Sequence, residues 1–224
     1  MMEDARAYEE LRVGFTAAVS HELRTPLARL LALLDSAELP GADRDALLAE
    51  AREQVEEMRE LIDDVLFLSE LESGRQVVAL GGTPALPVLE ETRDRLADSA
   101  ERADVEILVD APAEVEIPLR RRMLQVVVEN LALNSIRYAG PGTTVRLIAR
   151  PGVLEVSDDG RGVEEDELPR LFERFFRSDR ARASRGTGLG LAIVKHVVAS
   201  AGGQVEASGG PGRGLRIVCS FPAP

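Results

Sequence analysis

The sequence predicts an α+β protein in two parts. An N-terminal helical hairpin pairs with a second copy into a dimeric four-helix bundle, and an α/β sandwich follows, with helices packed on a mixed sheet. Three observations predict it. From about Asp4 to Ser73, apolar residues recur at three- and four-residue spacing with a single break at Leu39-Pro40-Gly41. The apolar stripe on each side of that break is too broad for two helices to bury alone. From about Gln76 the period changes to short alternating runs, between which lie segments of helical period.

In the hairpin, Leu11, Phe15, Val19, Leu23, Leu27, Leu30 and Leu34 form the first stripe. Ala51, Val55, Met58, Ile62 and Val65 form the second, widened by Leu61, Leu66 and Leu68. Asp43 is placed to cap the second helix, and Gly74 to stop it. A second copy of the chain covers these stripes most simply; packing against the rest of the same chain is the alternative. Residues 1–74 are therefore read as one domain and 75–224 as another. In the second, Gln76–Leu80 reads as a strand, Leu86–Arg102 as a helix and Val105–Val109 as a strand. A helix from Arg120 to about Tyr138 comes next, then strands at Thr144–Ala149 and Val153–Ser157. A loop-rich stretch leads to a helix near Leu189–Ala201 and strands at Gln204–Ala207 and Leu215–Ser220.

Composition excludes some functions. The chain has 27 basic and 39 acidic residues, a net charge of −12. Binding to nucleic acid is driven by phosphate neutralisation, so no nucleic-acid partner is expected. Cys219 is the sole cysteine, which rules out an intrachain disulfide, and it lies in an alternating apolar run that suits a buried thiol. No apolar run approaches the length of a membrane span, and no signal-peptide pattern opens the chain. The piece is expected to be cytoplasmic and to make no membrane contact itself.

Five short segments carry chemistry. In "QVVVENLALNSIRYAG", Asn130 and Asn134 share a helix face with Arg137 one turn on. Two amides so placed can offer carbonyl oxygens to a metal or a polar ligand; alone, they read more readily as solvated side chains. In "VSDDGRGV", a strand ends at Asp158 and runs into Gly160 and Gly162. A carboxylate there can accept from an exocyclic amine, although an acidic turn has the same composition. "LFERFFRSDRARASR" holds Phe172, Phe175 and Phe176, followed by Arg177, Arg180, Arg182 and Arg185, an aromatic anchor with a basic, polar remainder that suits a lid over a charged ligand. "GTGLGLAIVK" brings Gly186, Gly188 and Gly190 up to a helix N-terminus, where backbone N–H groups favour phosphate. The fifth is "SHELRTP", with His21 beside Glu22, Thr25 one turn later and then Pro26.

Together and in this order, these segments resemble the sensor histidine kinases of two-component systems. "SHELRTP" is similar to the H box of their dimerisation and phosphotransfer domain. The other four are similar to the N, G1, F and G2 boxes of their catalytic domain, which has the ATP-binding fold shared with gyrase, Hsp90 and MutL. The resemblance runs from Phe15 to Phe221. It implies that His21 is the phosphoacceptor, with Glu22 as general base and Thr25 positioned to help hold water for dephosphorylating a partner. A neutral imidazole nitrogen is a competent nucleophile near neutral pH, which agrees.

The resemblance further implies ATP and Mg²⁺ as cofactors, with Asn134 on the metal and Asn130 beside it. Arg137 would approach the phosphates, Tyr138 would lie near the nucleotide, and Asp158 would accept from the adenine amino group. Gly160 and Gly162 shape that pocket. Arg185, Gly186, Thr187, Gly188, Leu189 and Gly190 form the lid hinge and phosphate border. Asp159 stands where asparagine is frequent, Arg137 where lysine is commoner, and Ser135 where alanine is commoner. A homodimer and a response-regulator receiver domain are the implied partners, with response-regulator phosphatase activity open as a second function. A hinge near Ser73-Gly74 would let the catalytic domain reach His21. Family members usually carry an upstream sensor, so the full-length protein is expected at the cell membrane with this part in the cytoplasm. The competing readings are another ATPase of the same superfamily and a non-catalytic dimeric scaffold. The H box speaks against the first, and the intact Asn134, Asp158 and glycine loop against the second.

Overall fold

The computed structural model describes residues 2–73, 81–178 and 186–222. Its elements run α1 (Met2–Ala37), α2 (Arg44–Glu72), β1 (Thr83–Pro84), α3 (Ala85–Ala103), β2 (Val105–Asp110), β3 (Glu116–Ile117), α4 (Arg121–Tyr138), β4 (Thr143–Arg150), β5 (Val153–Asp158), α5 (Gly190–Ser200), β6 (Gln204–Gly209) and β7 (Leu215–Ser220). A single 3-10 turn, Leu168–Arg170, precedes α5. The chain divides into two compact units, Met1–Phe67 and Leu68–Pro224, so the division falls inside α2.

The first unit is the expected helical hairpin. α1 passes through Pro26 without ending. The helix stops before Pro40-Gly41, and Gly41 takes φ 82° in the turn. α2 is capped as its sequence demands: the Ala46 N–H donates to Asp43 Oδ1 at 3.1 Å, satisfying one of the N–H groups that a helix start leaves without a partner. Within this hairpin Leu27, Leu31, Leu34, Leu48, Val55, Ile62 and Leu66 stay exposed.

The second unit is built on a five-stranded sheet of order β2-β4-β5-β7-β6. β2 and β4 are parallel, in register from Val105↔Thr143 to Asp110↔Ile148. Parallel neighbours require a long crossover, and β3 with α4 supplies it. The remaining pairs are antiparallel, which makes the sheet mixed. Alternation gives the sheet one apolar face: Val145, Leu147 and Ala149 on β4, Leu154 and Val156 on β5, and Leu215, Ile217 and Cys219 on β7 are buried. Helices α3, α4 and α5 pack on the sheet, with α4 between the other two. On α4, Met123, Leu124, Val127, Val128, Leu131, Ala132, Ser135 and Ile136 are buried. Fully burying one such leucine stabilises by roughly 1.5–3 kcal/mol. The other face of the sheet is polar, with Arg216 pairing to both carboxylate oxygens of Glu155, at 2.8 and 2.6 Å.

Most boundaries match the sequence reading within a residue or two. The expected strand at Gln76–Leu80, the Gly74 stop and part of the expected hinge lie outside the described residues. A small ribbon that the sequence reading lacks pairs β1 with β3, Thr83↔Ile117 and Pro84↔Glu116. Two residues per strand leave no period to detect.

Candidate nucleotide-binding site

Asp158 is the centre of the site. Along β5 the alternation Leu154, Val156, Asp158 puts its carboxylate on the helix-covered face of the sheet, where it is 9% exposed. It accepts three hydrogen bonds. The Ser135 hydroxyl donates to Oδ2 at 2.9 Å, and the backbone N–H groups of Gly160 and Leu215 donate to Oδ1 at 3.1 and 3.2 Å. A carboxylate has about four lone-pair directions, so one acceptor position remains on Oδ2. Burial with one acceptor left over suits a ligand that brings an N–H donor to this carboxylate.

The loop after Asp158 is held open by close backbone packing. A Cβ on Gly160 would run into the Ala139 backbone at the end of α4. One on Gly162 would strike the Gly210 carbonyl in the β6–β7 turn, and one on Gly214 would strike the Asp158 carbonyl. The Gly214 N–H donates to the Gly160 carbonyl at 3.0 Å, and the Gly212 N–H to that of Arg161 at 2.8 Å. The β6–β7 turn therefore braces the Asp158 loop. Sequence reasoning missed this contribution, although the run Gly209-Gly210-Pro211-Gly212-Arg213-Gly214 was a visible signal for an unusual turn.

On α4, Asn130 and Asn134 are half-buried beside the sheet-facing stripe. The Asn130 amide donates from Nδ2 to its own helix, to the Val126 carbonyl at 2.8 Å. Its Oδ1 faces Gly190, where a Cβ would crowd it, so the start of α5 lies against this face of α4. Gly186 lies beside the Tyr138 hydroxyl and the Arg137 guanidinium, 3.1 and 3.6 Å from where its Cβ would stand. The Leu189 N–H donates to the Thr187 hydroxyl at 3.2 Å just before α5 begins. The first N–H groups of a helix have no intrahelical partner and favour an anion. The structure thus places Gly190 against Asn130, and Gly186 beside Arg137 and Tyr138. Arg180, Arg182 and Arg185 lie outside the described residues.

His21 and Thr25 are exposed on α1, one turn apart, and Glu22 is half-buried. In the sequence Ser135 stands out only as a departure from the commoner alanine. Its position four residues after Leu131, on the buried stripe, was the signal that its hydroxyl needs a partner inside.

The donor set fits ATP and Mg²⁺ chemically. An acceptor is left on Asp158, and the α4 amides offer carbonyl oxygens. Among the described residues no group of three or more His, Cys, Asp or Glu side chains could hold a metal ion. A cation here would be held by the amide oxygens of Asn134 and Asn130 together with phosphate and water oxygens, hard donors of the kind Mg²⁺ accepts.

Comparison with known proteins gives the class first. A family model described as "Histidine kinase-, DNA gyrase B-, and HSP90-like ATPase" matches residues 120–224, and one described as "His Kinase A (phospho-acceptor) domain" matches 11–74. A phosphoacceptor hairpin is thus joined to an ATPase-type domain. The sensor-like histidine kinase SenX3 of Mycolicibacterium smegmatis is 34% identical over 96% of this chain and 58% of its own length. The structure of the mycobacterial sensor histidine kinase MprB is 30% identical, with a TM-score of 0.56 over 63% of this chain and 97% of that one. The histidine kinase ThkA, solved in complex with the response regulator protein TrrA, shares the fold, with a TM-score of 0.75 at 18% identity over 99% of this chain and 65% of that one. The chain belongs to the sensor histidine kinase family of two-component systems. It spans somewhat over half the length of its SenX3 relative. No helix among the described residues is long and apolar enough to cross a membrane.

Proposed function

We propose that this chain is the kinase core of a two-component sensor, with residues 1–74 as the dimerisation and phosphotransfer hairpin and 75–224 as the catalytic ATP-binding domain. ATP binds with its adenine amino group donating to Asp158 Oδ2. Tyr138 lies along the nucleotide, and Arg137, Gly186, Thr187, Gly188, Leu189 and Gly190 border the phosphates, with Arg185 beside them. Asn134, with Asn130 adjacent, would hold Mg²⁺, which neutralises phosphate charge when bound.

In the reaction a ring nitrogen of His21 forms a bond to the γ-phosphorus while the bond from that phosphorus to the β–γ bridging oxygen breaks, and ADP leaves. The ring proton passes to Glu22, adjacent in sequence. The phosphoryl group then moves from His21 to an aspartate of a response-regulator receiver domain. Thr25, exposed one turn from His21, suits a water-holding role in dephosphorylating that partner. The exposed leucines of the hairpin support pairing with a second copy. The rest of a longer protein would carry the sensor and a membrane anchor, with this part in the cytoplasm.

The observation that carries the reading is the buried, triply bonded Asp158 carboxylate with one acceptor position left. The test is incubation with γ-labelled ATP and Mg²⁺. Acid-labile, alkali-stable label that disappears in His21→Ala supports it. Label that persists in that variant places the phosphate elsewhere and defeats it.

A further inference from the structure

Serines inside helices ordinarily turn their hydroxyl back on their own helix. Ser20 does so to the Thr16 carbonyl at 2.8 Å, and Ser36 to the Ala32 carbonyl at 2.7 Å. Ser135 does not. Its one hydroxyl proton crosses from α4 to Asp158 Oδ2 on β5, at 2.9 Å, and the residue is 4% exposed. On the other carboxylate oxygen, two backbone N–H groups hold Oδ1. Those two bonds hold one oxygen. The Ser135 bond takes one lone pair of the second oxygen and leaves the other.

We propose that Ser135 is a positioning residue for purine selection: its hydroxyl fixes the Asp158 carboxylate so that a single lone pair on Oδ2 is aimed into the pocket, which favours a 6-amino purine over a 6-oxo purine. The inference rests on the nucleotide-binding reading above. It adds a residue, and a selectivity, that the resemblance does not supply, since alanine is the commoner residue at this position.

The chemistry is directional. A 6-amino group donates to the aimed lone pair in a buried site, where a charge-assisted hydrogen bond is strong. A 6-oxo group presents an acceptor to an acceptor, and neither can be satisfied. Without the serine hydroxyl neither lone pair of Oδ2 is tied down, and the loss falls on the nucleotide that uses the aimed lone pair. The nucleotide that never used it loses little. Alanine removes one oxygen and adds no bulk, so the packing of α4 on the sheet is kept.

The experiment uses the whole chain and measures ADP and inosine diphosphate binding, each with Mg²⁺, by displacement of a fluorescent ATP analogue. Wild type and Ser135→Ala are compared, and thermal melting is recorded for both. Wild type is expected to prefer ADP. In the variant, ADP affinity falls about 5- to 20-fold, while inosine diphosphate affinity stays within about 2-fold, so the ratio narrows. Because the ratio is taken within one protein, a general loss of stability cancels from it. An unchanged ratio, or an equal loss for both nucleotides, overturns the proposal and leaves Ser135 a packing residue. Wild-type protein that displaces the analogue with neither nucleotide overturns the nucleotide-site reading itself.

Discussion

The backbone N–H of Phe175 donates to the Gly188 carbonyl at 2.9 Å, and both residues are left-handed there, Phe175 at φ 62° and Gly188 at φ 69°. This bond ties the phenylalanine-rich segment to the glycine loop that leads into α5. A bulky residue in that conformation costs on the order of 1–3 kcal/mol, and it persists only where the surroundings enforce it. Two segments that looked separate in the sequence are therefore one structural device.

Gly188→Ala is expected to break that device. Its Cβ would stand 2.8 Å from the Phe175 Cα and 2.9 Å from its carbonyl carbon, and alanine tolerates the left-handed region poorly. Nucleotide affinity should fall by roughly 10-fold or more, with a smaller loss of thermal stability. Phe175→Gly relieves the strain and keeps the N–H but removes the half-buried ring, so it should melt lower than wild type while keeping more nucleotide affinity than Gly188→Ala. A nucleotide titration with parallel melting curves checks both; unchanged affinity in Gly188→Ala would show that the contact does not shape the site.

Asp158→Asn poses a sharper question than truncation. The amide can keep its oxygen toward the Gly160 and Leu215 N–H groups and turn its Nδ2 toward the Ser135 hydroxyl, which can rotate to accept. The fold should survive. The atom offered to the ligand becomes a donor in place of an acceptor, so ATP affinity should fall about 100-fold. Calorimetric titration of ATP reads this directly. Retained affinity would mean that the base is not held at Asp158.

Much of this was legible before the structure. The two periods separated hairpin from sandwich, and Asp43, Asn130, Asp158 and Gly190 all stand where their spacing put them. The rest depended on contacts between residues far apart in sequence. Ser135 and Asp158 are on different elements, and no local pattern announces a hydroxyl that bonds to one rather than the other. The bracing of Gly160 by Gly214 needs β5, β6 and β7 assembled first. The β1–β3 ribbon is too short to show a period at all.

The hairpin should associate through its exposed apolar stripes. Leu31 is 55% exposed and Leu66 58% exposed, with Leu27, Leu34, Val55 and Ile62 beside them in the sequence pattern. Wild type is expected to sediment as a dimer at micromolar concentration, and Leu31→Lys with Leu66→Lys as a monomer. Because these positions belong to the first compact unit, nucleotide binding by the second should be unchanged. A double variant that remains dimeric would place the interface on another face.

Cys219 on β7 gives a pH-dependent prediction with a definite sign. Its side chain is fully buried, between Leu154 on β5 and Val205 on β6, and burial pushes its thiol from an ordinary value of 9.0 up to about 12. At pH 8 only about one molecule in ten thousand would carry the thiolate, which is the reactive form. Native protein should therefore resist iodoacetamide at that pH, and labelling should follow global unfolding. The folded value lies above the unfolded one, so the unfolded chain loses this proton first as pH rises. The contribution to stability is complete below about pH 9 and is lost progressively as pH climbs toward about 12. In Cys219→Ala that part of the alkaline loss should vanish, although the variant is less stable at neutral pH for want of packing. Denaturant melts of both proteins at pH 8 and pH 10.5 measure the difference: a wild-type loss no larger than that of the variant would show that the thiol does not titrate with unfolding.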